Sequence, residues 1–398
     1  MVRFCKEYLI YFFPILFLIY IILESYQIDF RAFYLAGKSV LYHLDPYLNH
    51  VSLYPEFYGP VNSNDAPTSG LVYPPFAALI FTPLAFFAYP TSKMVFSIFI
   101  IFMLFLLCFH FVKQSKFMIQ GEAILFILCS FPVITTFERG QIDILIVCLT
   151  VFSFYLYNRH KLILPSALLL ATATSIKIFP IFTLIYYLYK KEFKLVIYTL
   201  ACTLLLFIAP LIYFHPTVYL HFFQVMLPNV FGHISNSLPI NTHGQGVINN
   251  IVISKEISGL IASHDISNGY MNPLLKNNTI GALIFGLLST VLMLISSKQK
   301  AADANYQFYA ILNTINLFNP RAWIMGLVWY IPFFLLLQNK VTKLGKVLIL
   351  LPLFVPPFTN TNAFLAYVVS LLFVLALNNQ GLSKRILLPS KIEQVHTD

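Results

Sequence analysis

Charge is what this sequence has least of. Asp, Glu, Lys and Arg together make up 10% of its 398 residues, where soluble domains carry about 25%, and that excludes a soluble enzyme. Cysteines number five, all in or beside apolar runs and none in the two long polar stretches. They read as small apolar filler, neither a disulfide framework nor a thiolate metal site. Neither a Cys/His zinc spacing nor an Asp-x-Asp cluster occurs, so no metal and no cofactor is expected. A Gly-rich phosphate loop is missing as well, which argues against a nucleotide-sugar donor. The apolar runs do not alternate with polar residues, and this excludes a β-barrel.

What the chain does have is apolar length. Hydrophobic residues are 59% of it, with 40 Phe and 24 Tyr against two Trp, and the mean hydropathy is +0.78. That is enough for about twelve spans of ~20 residues, with Tyr to spare for the headgroup belts. Apolar runs fall at about 8–23, 72–89, 93–112, 122–136, 141–157, 161–175, 177–189, 194–214, 279–297, 305–318, 321–337, 343–358 and 361–378. The first is too long and aromatic for a cleaved signal and reads as a retained helix.

The net charge of +10 is a topology signal here, not a sign of a nucleic-acid partner. If both ends lie inside, the basic turns around Lys113, Arg159, Lys190, Lys298 and Lys343 share the inner face, provided one run does not cross. The run at 72–89 is the one to drop, because Pro74, Pro75, Pro83 and Pro90 interrupt helical hydrogen bonding. About two thirds of the 25 basic residues are then inside. Two long loops, about 24–71 and 215–278, face outward. The expected fold is an all-α polytopic membrane protein of about 12 transmembrane helices, with residues 1–398 forming one membrane domain.

The most informative segment follows the first run. Phe30, Phe33, Tyr34, Gly37, Val40, Leu41 and Leu44 recur at helical spacing, while Arg31, Lys38 and Tyr42 share another face. This predicts an amphipathic helix lying in the outer interface, with Asp29 at its start. Asp29 has two readings, a helix N-cap or a carboxylate held at bilayer-surface depth and aimed at a reacting group. Asp45 before Pro46 reads as a turn cap. Glu138 and Asp143 flank Arg139, and structural salt bridges to it are the alternative to a role in the site.

An Asp after the first helix, then Asp45-Pro46-Tyr47 and Tyr73-Pro74-Pro75, resemble glycosyltransferase family 87 of the GT-C superfamily. Arg139-Gly140-Gln141-Ile142-Asp143 resembles that family's Gly-Gln-x-Asn, with Asp143 a departure. Ser175-Ile176-Lys177-Ile178-Phe179-Pro180 is similar to its Lys-x-x-Pro, and Asn241-Thr242-His243-Gly244-Gln245 to an Asn-rich loop. Asn319-Pro320-Arg321-Ala322-Trp323 is similar to a Ser-Pro-x-x-Trp turn, but the His that often follows is replaced by Ile324-Met325-Gly326. Under the parity argument, every one of these motifs faces outward.

The resemblance implies a polyprenyl-phosphate-linked sugar donor, mannose among the hexoses, and no metal. The residue types suit that chemistry. An inverting transfer needs one base for the acceptor hydroxyl, and Asp29 is the candidate. The leaving phosphate gathers negative charge, which Arg139 and Lys177 are placed to meet, Arg as a fork and Lys as a point charge. Both would equally serve as cations snorkelling at a helix end. Gln141 and Asn241 are candidates for sugar hydroxyls, and His243 and Arg321 for the phosphate or nearby headgroups. The partners expected are the lipid-linked donor, a glycolipid or glycan acceptor, and membrane lipids. The architecture favours a bacterial plasma membrane with the site on its periplasmic or extracellular face. Two alternatives remain: a flippase or transporter of lipid-linked sugars, and a ligase moving a whole glycan from a polyprenyl diphosphate.

Overall fold

The computed structural model describes residues 27–54, 57, 69–115, 121–227, 279–297, 304–318, 324–354 and 362–387, together with 15, 16, 19 and 23. Among these residues the chain is helical, and β pairing is confined to isolated bridges such as Val341 with Leu387. The elements that position the site are α1 (Ile28–Leu41), α2 (Pro75–Ala85), α3 (Tyr89–Ser115), α4 (Gly121–Leu128), α5 (Phe131–Arg139), α6 (Asp143–His160), α7 (Ile163–Ile176), α8 (Leu184–Tyr189), α9 (Phe193–Ile208) and α10 (Thr217–His221). A second group of helices, including α11 (Thr279–Ser296) and α12 (Ala304–Leu312), follows in the C-terminal part.

Two helical stretches are long and apolar enough to cross a membrane. Tyr89–Phe111 has a mean hydropathy of 2.7, and Phe193–Ile212, which is α9 with its 3-10 extension, has 2.5. A third is added if α5 and α6, bent by 118° at their junction, count as one span. The side chains agree with a lipid-facing surface. On α9, Ile197, Leu200, Leu204, Leu205 and Ile208 are all exposed, and so are Ile98, Phe102, Phe105 and Phe109 on α3. Exposed apolar faces this wide mark contact with membrane or partner. The twelve crossings expected from the sequence are not reached among the described residues. The other apolar helices are 10–17 residues long, and at 1.5 Å per residue even 17 residues span only about 26 Å of a ~30 Å core. The apolar stretch 161–189, for example, is divided by the extended Lys177 between the helix that ends at Ile176 and the one that begins at Phe179.

The prolines between residues 74 and 90 act differently from expectation. Pro74 is the N-cap of α2, Pro75 its first residue, and Pro90 lies in the first turn of α3; only Pro83 is inside a helix. Proline at a helix start loses nothing, because that N–H has no helical partner anyway. The segment is therefore a continuous helix of 11 residues, about 16 Å long and too short to cross.

Helix α1 forms within the predicted stretch, ending at Leu41, and its predicted polar face is exposed only toward Tyr42. Phe30, Phe33, Tyr34, Leu35 and Ala36 are buried, and so is Arg31, which was expected on the polar face. The reason is that α2 packs along α1 at backbone contact. A Cβ on Gly37 would lie 2.7 Å from the Phe81 carbonyl oxygen. Phe33 stacks on Phe81 with ring centroids 4.3 Å apart, and Phe30 stacks on Phe96 of α3 at 4.8 Å. Beyond this unit, α6 and α7 meet through reciprocal hydroxyl-to-carbonyl bonds, Ser153 to Ser166 at 2.8 Å and Ser166 to Ser153 at 2.6 Å. Small polar residues of this kind let apolar helices approach closely.

Candidate functional site

The site is assembled where helix ends meet. Helix α5 terminates at Gly140, which adopts φ 70° and ψ 45°, the left-handed geometry that glycine enters without a Cβ penalty. Glycine is needed there for a second reason: a Cβ would lie 2.5 Å from the Phe30 Cβ and 2.9 Å from the Gln27 side-chain oxygen. The start of α1 can therefore sit directly against the end of α5. Gln27, the buried N-cap of α1, donates from Nε2 to the Phe137 carbonyl at 2.6 Å. That satisfies one of the carbonyls that a helix end leaves unpaired.

Two opposite charges face each other across this contact. Asp29 lies in the first turn of α1 and is not its N-cap. Arg139 is the last residue of α5. Its Nε donates to Asp29 Oδ2 at 2.5 Å and its Nη2 to Oδ1 at 3.1 Å. Each charge also complements its own helix dipole, acid at an N-terminus and base at a C-terminus. The pair is not sealed, since the two side chains remain 22% and 20% exposed.

A second pair stands beside the first. Asp143 opens α6 and is completely buried, and its Oδ1 accepts from Lys177 Nζ at 2.6 Å. Lys177 caps α7 in an extended conformation, φ −139° and ψ 119°, just before the Phe179–Thr183 3-10 turn that carries Pro180. Of the pairings left open from sequence, Asp143 takes Lys177 and not Arg139. The α5–α6 bend turns Asp143 toward α7, while Arg139 reaches back to α1.

Tyr73 joins the two pairs. It is buried, donates its hydroxyl to Gln141 Oε1 at 3.0 Å, and carries the Lys177 ammonium 5.9 Å above its ring. Burial, reinforced by Asp143 and then Asp29, holds its phenol well above the usual range. Gln141, itself buried, has its amide oxygen occupied by this bond and so presents its NH2 group as a donor.

The Asp-Pro-Tyr turn braces Tyr73 from the other side. The Tyr47 hydroxyl donates to the Tyr73 carbonyl at 2.8 Å. Asp45 Oδ1 accepts from the Tyr47 amide at 2.9 Å, which is the turn cap read from the sequence. Its Oδ2 lies 3.1 Å from His221 Nδ1 at the end of α10. That contact ties the first long loop to the start of the second, and sequence alone gave no sign of it.

Asp29, Arg139, Gln141 and Lys177 are therefore brought together from separate segments, with Tyr73 and Asp143 added to them. Asn241, His243 and Arg321 lie outside the described residues. Among the described residues no three His, Cys, Asp or Glu side chains group as metal ligands do.

In comparison with known proteins, the model of glycosyltransferase family 87 matches residues 71–320. No curated protein and no solved structure matches the chain. The matched segment contains Tyr73, Arg139, Gln141, Asp143 and Lys177, while Asp29 precedes it and is tied to it by the Arg139 pair.

Proposed function

The chain belongs to glycosyltransferase family 87, and from that premise we propose that this membrane glycosyltransferase moves a hexose, mannose first among them, from a polyprenyl-phosphate donor to a lipid or glycan acceptor on the non-cytoplasmic face. The transfer inverts the anomeric carbon. The acceptor oxygen bonds to that carbon as the bond to the phosphate oxygen breaks. The hydroxyl proton goes to Asp29, and the electron pair of the broken bond goes to the departing phosphate.

The observation that carries this reading is the fork between Arg139 and Asp29. The fork holds both carboxylate oxygens of Asp29 in one orientation, and it sets the guanidinium beside the place where the proton is taken. As Asp29 takes the proton it loses its charge, while the phosphate gains one. An arginine beside both can transfer its hydrogen bonds from one to the other, which stabilises charge where it develops. Lys177 supplies the second cation for the phosphate, and the Gln141 amide offers donors to sugar hydroxyls. Charged residues gathered at several helix ends suit a donor whose phosphate stays at headgroup level while its chain dissolves in the bilayer. The site would then face the periplasm or cell exterior of a bacterial plasma membrane.

The bent α5–α6 pair, with charges at its break, favours one second reading, a flippase for the same lipids, because transporters build sites on discontinuous helices. The chemical fate of the sugar separates the two. Membranes containing the protein are given polyprenyl-phosphate hexose labelled in the sugar, with mannose first and other hexoses after it. Label recovered on a new glycolipid or glycan supports transfer. Label still on polyprenyl phosphate but moved across the bilayer overturns it.

A further inference from the structure

We propose that Asp143 is the positioning residue for the Lys177 ammonium, fixing it above the Tyr73 ring where the leaving phosphate is met. The proposal rests on the reading above that Lys177 meets that phosphate.

The argument starts from what a lysine does unaided. Its ammonium is a point charge on four flexible carbons and carries about 2 kcal/mol of rotamer entropy, so a free lysine at a helix end spreads its charge over a wide volume. Lys177 lacks even a helical backbone to set its direction, because it sits in the extended break after α7. What fixes its Nζ is one short contact, 2.6 Å to Asp143 Oδ1.

Asp143 is built to hold it. Its side chain is 0% exposed while that of Lys177 is 19% exposed, so the anchor is inside and the cation looks out. As the first residue of α6, Asp143 has its charge favoured by the helix N-terminus. Its Oδ2 is buried without a hydrogen-bond partner in the structure, so the carboxylate is not held there merely to satisfy the surrounding backbone. Burying a carboxylate is costly unless it is paired, and the cation that pairs it is Lys177. One Nζ proton is engaged with Asp143, and two remain for oxygen acceptors.

The test reads both the tether and its purpose. In purified protein in detergent, Lys177 acylation by a small amine-reactive ester is followed by peptide mass spectrometry. Asp143→Asn keeps the shape and removes the charge, and should raise the labelling rate of Lys177 by about threefold or more as the ammonium is released. An unchanged rate overturns the tether, whatever the enzyme's reaction. In the transfer assay, Asp143→Asn should raise the donor KM about tenfold with a smaller change in kcat. The Asp143→Asn/Lys177→Ala double variant should be no worse than Lys177→Ala alone, because Asp143 acts only through Lys177. Independent, multiplying losses would make Asp143 a structural residue and overturn the positioning role. Absence of transfer by the unaltered protein with every lipid-linked hexose would count against the proposed function alone, since the labelling result stands without it.

Discussion

Arg139 and Asp29 lie 110 residues apart and meet through two hydrogen bonds, Nε to Oδ2 at 2.5 Å and Nη2 to Oδ1 at 3.1 Å. The contact joins the end of α5 to the first turn of α1. It also joins the segment matched by the family model to a residue outside it. If Asp29 is the base, Asp29→Asn removes the proton acceptor and leaves size and hydrogen-bonding shape nearly intact. Transfer should fall by about 10²–10⁴-fold, the usual worth of a general base. Binding of the product polyprenyl phosphate, measured separately, should change little. Full activity in Asp29→Asn would sink the assignment.

Arg139→Lys tests whether the fork or only the charge is required. Lysine keeps the positive charge but cannot present two parallel donors to one carboxylate. The expected result is a loss of at least about tenfold in kcat/KM. Lysine restoring normal kinetics would mean that a point charge at this place suffices.

Gly140→Ala should damage the site without touching a charged group. Two glycines with positive φ make a controlled comparison. At Gly70, φ 87°, a new Cβ would find only Ala32 Cβ at 3.6 Å, an ordinary contact; at Gly140, φ 70°, it would meet Phe30 Cβ at 2.5 Å. Both substitutions incur the left-handed penalty of about 1–2 kcal/mol, and only Gly140→Ala also pushes α1 from α5. Gly140→Ala should therefore lower the apparent unfolding temperature in detergent more than Gly70→Ala, and should lose transfer activity while Gly70→Ala keeps most of it. Equal effects would mean that the α1–α5 approach yields easily.

Much of this arrangement was legible in the sequence, and what was not has a physical cause. The span of α1 follows from its apolar spacing, and Arg139 and Lys177 stand out as cations beside long apolar runs. Burial of Arg31 could not be read, because periodicity describes the faces of a helix and not how many neighbours cover them. The partner of Asp143 could not be read for a related reason. Asp143 is close to Arg139 in sequence, but the 118° bend between α5 and α6 turns the two in different directions, and a bend angle leaves no mark in composition. The Asp45–His221 contact depends on how two distant loops fold over each other. Hydropathy counts apolar runs and does not register where an extended residue or a 3-10 turn divides one into shorter helices, as between Ile176 and Phe179.

Tyr73 supplies a test in which pH does the work. Its phenol is raised well above 10.0 by burial, with Asp143 and Asp29 adding to the effect; Tyr47 is raised likewise, by burial first and Asp45 next. Below pH 10 the folded and unfolded chains both keep these protons, so the contribution to stability is fully present. Above pH 10 the unfolded phenols ionise and the folded ones do not. Stability then falls as pH rises toward the folded values, by about 1.4 kcal/mol per pH unit for each such phenol. Tyr73→Phe removes one phenol from that loss. It also removes the 3.0 Å bond to Gln141 Oε1, leaving a buried acceptor unmade at a cost of about 1 kcal/mol. The variant should be the less stable protein at pH 8, and its deficit should shrink and then reverse by about pH 11. Lysines and the other tyrosines titrate in the same range, but they do so in both proteins and cancel in the comparison. Unfolding in detergent, followed at intervals between pH 8 and 11, reads this directly. An offset that stays constant across that range would show that the Tyr73 phenol ionises as freely in the folded protein as in the unfolded chain, and the buried link between the two ion pairs would then have to be abandoned.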